Sequence, residues 1–274
     1  MHKVYYYPGT GGDAICLDGD TAFIGTGGKL RSHERSRTIK NRSVKGLTIP
    51  MREVDIECIA YDDAANELRR VSDADVEARK PGTICIDGEW NMQCYVVASE
   101  TDEVYYDAVK LKLTLILMSR YWWREHSRHY VVGLTQDGLD YPNDFEFDLS
   151  ASAGKGSFTV DSLLGAKPRI TFYGAVTNPY ITITDSNGVA NRYEVDTQIF
   201  SGHKCVIDAT GVSPTVTVYD QYGNAQSVFS AALRGEGTNA FASLPHGNLS
   251  VAWSGAFAFD ITARELDTEP PWNR

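Results

Sequence analysis

The chain has 274 residues, of which 42% are hydrophobic and 23% charged, and its net charge is −10. At roughly 100–200 residues per domain this length predicts about two folded domains, and the composition is ordinary for a folded protein, so disorder is not the default. The acidic balance argues against non-specific binding to nucleic acid or an anionic membrane, both of which need a clustered basic surface.

In chain order, Met1-His2-Lys3-Val4-Tyr5 lacks the long apolar stretch of a secretory leader. Gly25-Thr26-Gly27-Gly28-Lys29 lacks the spacing of a phosphate loop and is followed by Leu30, so it reads as a turn. A basic run follows: Lys29, Arg31, Arg35, Arg37, Lys40, Arg42 and Lys45. It is either a solvated strand and loop or a patch complementary to an acidic partner. Leu47-Thr48-Ile49 then leads into a strand in which Val54, Ile56, Cys58 and Ala60 alternate with Glu53, Asp55 and Glu57.

The spacing of Ala64, Leu68 and Val71 predicts a helix over Asp62–Arg79. Asp62 or Asp63 would cap it, Pro81-Gly82 would stop it, and Ser72-Asp73 marks a place for a kink or a split. A hairpin, Thr83 to Val97, turns at Asp87-Gly88. A long apolar strand from Val109 to Met118 follows, with Leu111, Leu113, Leu115 and Leu117 on one face. That stretch is too short to span a bilayer. Trp122-Trp123-Arg124-Glu125-His126 reads as a strand end or loop.

A composition shift between Gly133 and Pro168, within which Phe145, Phe147 and Leu149 still alternate, places the domain boundary near Tyr130. The domains are then 1–130 and 131–274. A buried Trp272 would mark a return of the last residues to the first domain. The second half alternates throughout: Ile181 and Ile183, Val216 and Val218, then Leu249, Val251 and Trp253, then Phe257, Phe259, Ile261 and Ala263. Asp185-Ser186-Asn187-Gly188 and Tyr222-Gly223-Asn224 supply turns. The fold class expected is mainly β, an N-terminal β-sandwich with one packed helix followed by a second β-sandwich.

Chemistry is sparse. The five cysteines, Cys16, Cys58, Cys85, Cys94 and Cys205, are odd in number and contain no C-x-x-C pair, so neither a disulfide scaffold nor a zinc site is indicated. Cys85 and Cys94 flank the Asp87-Gly88 turn, a placement for paired core thiols. His126 and His129 would share a face only if helical, and no third ligand accompanies them. No G-x-S-x-G elbow exists. These readings point to no enzyme, no metal and no cofactor.

The element order of the first half, namely Val54 to Ala60, the helix Asp62–Arg79, the hairpin Thr83 to Val97 and the strand Val109 to Met118 ending in Tyr121-Trp122-Trp123, resembles the N-terminal domain of the distal tail (Dit) proteins of siphophages. Ser119-Arg120 stands where that family often has Asp-Pro. Pro168 to Gly174, Asn178 to Ile183, Gly202 to Asp208 and Leu244 to Leu249 are similar to the family's C-terminal galectin-like sandwich. The resemblance implies a structural virion tail component, made in the bacterial host cytoplasm. It implies a hexameric ring of copies of the chain, linking the tail tube protein to a tail-tip hub protein and carrying, in some relatives, a receptor-binding protein. It implies neither a nucleic-acid nor a membrane partner.

A cyclic ring needs two different matching patches on each subunit. The pair expected from charge is Arg31, Arg35, Arg37 and Arg42 against the helix acids Asp63, Glu67, Asp73 and Glu77, with Asp62 and Asp75 beside them. The alternative function is a carbohydrate-binding module for the host cell wall, resting on Tyr180, Tyr193, Tyr219, Tyr222 and Trp253; of these, Trp253 alternates with Val251 and reads as core.

Overall fold

The computed structural model describes residues 3–24, 29–32, 36–40, 43–48, 50–132 and 154–271. It is mainly β, with a single α-helix among the described residues. The chain divides into two compact units, Met1–Arg124 with Asp267–Arg274, and Glu125–Leu266. The division falls earlier than Tyr130 for a physical reason. Tyr130 belongs to the core of the second unit, where its ring stacks on Phe259 at 4.6 Å. Phe145, Phe147, Leu149 and Trp272 lie outside the described residues.

The first unit contains β1 (Val4–Tyr7), β2 (Ile15–Cys16), β3 (Ala22–Phe23), β4 (Ser36–Lys40), β5 (Ser43–Thr48), β6 (Arg52–Tyr61), α1 (Asp62–Ala78), β7 (Gly82–Ile86), β8 (Trp90–Val104) and β9 (Ala108–Leu117). Antiparallel pairing runs in the order β2, β1, β7, β8, β9, β6, β3. The alternation of β6 and β9 is realised as a matched register, Val54 opposite Leu115 and Ile56 opposite Leu113. Their buried side chains meet Ala65, Leu68 and Val71 of α1 in one core that also takes in Tyr6, Ile84, Met92 and Trp122. Strand β8 runs on to Val104, past the Val97 at which the Thr83–Val97 hairpin is expected to end, and pairs with β9. Two register shifts, at Val96/Ala98 and Thr101/Glu103, interrupt it. Such bulges bend a strand and re-aim its side chains.

The helix is continuous through Ser72-Asp73 and ends at Ala78. Its N-cap is Tyr61, which makes no side-chain cap, while Asp62 and Asp63 occupy the first turn, where they face the positive end of the helix dipole. Arg79 closes it in the left-handed conformation, φ 54°.

Strand β10 (Trp122–Tyr130) carries the stretch read as a strand end or loop. In the second unit it lies beside β23 (Phe259–Asp267), which continues to β12 (Ala166–Tyr173), β17 (Lys204–Asp208), β18 (Thr215–Tyr219) and β19 (Ala225–Ser227). A second sheet orders β11 (Gly154–Val160), β22 (Gly247–Trp253), β14 (Tyr180–Thr184), β15 (Ala190–Glu194), β21 (Thr238–Asn239) and β20 (Arg234–Gly235). Short strands β13 (Val176–Thr177) and β16 (Gln198–Ile199) pair apart from both. The inner faces of the two sheets, Phe172, Ile207 and Ile261 from one and Phe158, Ile183 and Val251 from the other, share a single core. Trp253 is in that core, edge-on to Phe259 at 5.1 Å. Gly154 makes room for it, since a Cβ there would lie 2.4 Å from the indole.

Candidate subunit interface

The acidic face of α1 follows from its period. Leu68, Val71, Ser72 and Asp75 are buried, and Asp63, Glu67, Asp73 and Glu77 lie on the exposed side. Glu67 already holds Arg70 at 2.6 Å and 2.9 Å within the helix. Asp75 does not belong to this face. It is fully buried and accepts hydrogen bonds from the Tyr6 hydroxyl at 2.6 Å, the Gly9 amide at 2.9 Å, and the Thr10 amide and hydroxyl at 2.8 and 2.7 Å. Burial alone would raise its pKa, but the Tyr6 and Thr10 donors and the Gly9 amide outweigh burial and hold the carboxyl below its ordinary value. The signal for this was present in the sequence: Asp75 continues the stripe of Leu68 and Val71 at helical spacing.

The basic run divides. Arg35 and Arg42 lie outside the described residues, and Arg37 is exposed on β4. Strands β4 and β5 form their own two-stranded sheet, with a register shift between Arg37 and Thr38. Arg31, expected in the surface patch, is buried instead. Its guanidinium donates to Asp87 Oδ2 at 2.6 Å and to the Pro271 carbonyl at 3.1 Å. Removing such a cation from water requires a paired carboxylate, and the left-handed Asp87 of the hairpin turn (φ 57°) provides one. Arg31 is thus an internal clasp, unavailable to a neighbouring subunit.

A different exposed surface was not singled out in the sequence. Phe23 (53% exposed), Ile59, Tyr61 and Tyr105 line one shallow cavity of about 330 Å³ together with Gly19, Asp20, Thr21, Ala60, Asp107 and Ala108. Backbone bonds weld its parts, from the Tyr61 amide to the Thr21 carbonyl at 2.9 Å and from the Asp62 amide to the Asp107 carbonyl at 3.3 Å. Beside it the β8–β9 turn, closed by the Tyr105 amide on the Ala108 carbonyl at 2.8 Å, lifts Tyr106 fully into solvent. An aromatic residue at a turn apex leaves no periodic trace, and Ile59 and Tyr61 occupy the nominally polar positions of β6. Alternation reports only the face that is buried.

No family model matches the chain, and no curated protein matches it. Solved structures do. The Dit protein (gp 19.1) of phage SPP1, a paradigm of hub adsorption apparatus in phages infecting Gram-positive bacteria, aligns over 97% of this chain and 99% of its own, at 13% identity and a TM-score of 0.59. A chain of the phage P2 baseplate in its calcium-activated conformation aligns over 98% and 100%, at 9% identity and a TM-score of 0.60. The strontium form of the phage p2 baseplate gives 96% and 98%, 11% identity and 0.56.

The chain has the Dit fold.

Within this Dit fold the residues singled out for chemistry are separated. His126 Nε2–H donates to the Thr159 carbonyl, 3.0 Å away, and the ring stacks on Phe158 at 4.8 Å. His129 instead bonds Asp260, whose second oxygen takes the Tyr173 hydroxyl. No group of three or more metal-ligating side chains occurs among the described residues. Cys85 faces Asn91 across the hairpin and Cys94 faces Gly82, so the two do not face each other, and both are buried free thiols. Burial pushes the Cys94 and Cys205 thiols up to about 12 and Cys58 to about 11, which keeps them protonated and inert. Of the five aromatics weighed for sugar binding, Tyr219 is half-buried with Lys204 at 5.6 Å over its ring. Tyr193 and Trp253 are core, Tyr180 lies under Arg192 at 3.6 Å, and Tyr222 is exposed in a turn.

Proposed function

We propose that this Dit-fold chain is a structural subunit of a phage tail tip, assembling as a ring of identical copies that joins the tail tube to the hub below it. One observation carries the reading. The likeness to SPP1 Dit and to the baseplate chains extends through both units and nearly the full length of each protein. A protein sharing a single sandwich with these hubs would share a common architecture and nothing more. The surfaces support the reading: the exposed features of the first unit are apolar and charged patches suited to neighbours, and the titratable groups of the interior are locked in structural bonds.

The ring reading predicts a discrete oligomer of the purified chain. Mass photometry at micromolar concentration, followed by negative-stain imaging, should show closed rings with a mass that is a whole multiple of the subunit, six by the family pattern. A particle that remains a single subunit at every concentration, and also when mixed with tube and hub proteins of its own tail, refutes the reading.

A further inference from the structure

The acidic helix face is a poor acceptor for a ring contact, because interfaces take their energy from buried aromatic and apolar anchors, while rim charges mainly guide encounter. Of the helix residues only Val76 is a large apolar side chain left exposed, and Glu67 is already paired. The cavity at the end of the first unit's sheet has both ingredients. Phe23, Ile59, Tyr61 and Tyr105 form its apolar wall, and Asp20, Asp62 and Asp107 are exposed carboxylates of the same surface. Aromatic side chains clustered in one exposed concavity mark an interaction site.

We infer that this aromatic, acid-edged cavity receives the β4–β5 hairpin, Ser36–Lys40 and Ser43–Thr48, of a second copy of the chain. The inference rests on the ring reading and names its contact. Charge selects the occupant: the hairpin carries Arg37, Lys40 and Lys45 in a protein of net charge −10, so it is the basic complement that the chain itself offers to an acidic site. Arginine is suited to such a cavity because its planar cation pairs with carboxylates and also stacks on aromatic rings. Among the described residues β4 and β5 form a two-stranded sheet of their own, and a two-stranded ribbon by itself is marginal in water, so a partner would stabilise it. Donor and acceptor are different patches of one subunit, which is what a closed ring requires.

The test compares full-length variants by mass photometry across a concentration series, with circular dichroism to verify folding. Phe23→Ser with Tyr106→Ser, and separately Arg37→Glu, should keep the wild-type spectrum and raise the concentration for half-assembly by about tenfold or more. Combining Arg37→Glu with Asp107→Lys should recover much of that loss. Wild-type-like assembly of both disrupted variants overturns the contact while leaving the ring reading intact. Loss of assembly only in Asp63→Lys with Asp73→Lys also overturns it and moves the hairpin to the helix. Retained rings that no longer bind tube or hub protein assign the cavity to those partners instead. If wild type never assembles, alone or with its tail neighbours, the ring reading itself fails.

Discussion

Asp75 shows how one side chain can be misread by charge and correctly placed by position. Among the helix acids it looks like one more solvated carboxylate, yet its spacing from Leu68 and Val71 carries it to the inner face, where β1 and the following loop supply four donors. Asp75→Asn keeps the shape but loses acceptor capacity, so it should cost about 2–3 kcal/mol in urea unfolding at neutral pH. The pH dependence has a definite sign. The folded carboxyl titrates below its ordinary value of 3.8, so its contribution is complete well above that value and drains away as pH falls through the lower folded one. Between neutral pH and pH 3 the wild type should therefore lose more stability than Asp75→Asn; an equal loss in both would show that another group governs the acid response. Arg31 was misread in the opposite direction, because nothing in a basic run distinguishes the member that meets a buried aspartate contributed by a hairpin far along the chain.

At the level of elements, legibility tracked one-sided burial. The strands β6 and β9 and the helix each bury one face, and their periods were plain in the sequence. The last third of β8, Glu100–Val104, is exposed, so no alternation marks it and the sequence reads the strand short. The middle of β10 interleaves Arg124, Glu125, Ser127 and Arg128, with only Trp122 and Tyr130 buried at its ends, which gave it the texture of a loop. The same argument ranks the elements energetically. Leu113, on β9 opposite Ile56 and 1% exposed, sits where helix and sheet meet. Leu113→Ala should lower stability by about 2–5 kcal/mol, the range for a buried leucine that leaves a partly collapsed cavity. Thr114→Ala on the outer face of the same strand loses only a 2.8 Å bond to Asp55 and should cost well under half as much. Chemical denaturation of the two variants side by side checks the contrast, and near-equal losses would contradict the assigned facing of β9.

On the scale of the whole molecule, the element order points to the observed fold, whereas length and strand alternation alone point no further than two β-rich domains. The first unit is discontinuous, with Asp267–Arg274 grouped with Met1–Arg124. Arg31 fixes that return by holding the Pro271 carbonyl. A chain ending at Leu266 should therefore show a lowered first-unit transition in calorimetry while the second-unit transition stays in place; loss confined to the second unit would reverse the assignment.

The second unit enters and leaves on neighbouring strands. Near its start Glu125 takes the Arg264 guanidinium at 2.7 Å, and Ser127 meets Thr262 at 2.6 Å. Segment 125–266 is therefore a loop insertion whose two ends come out side by side, the topology in which domains are most readily grafted or removed.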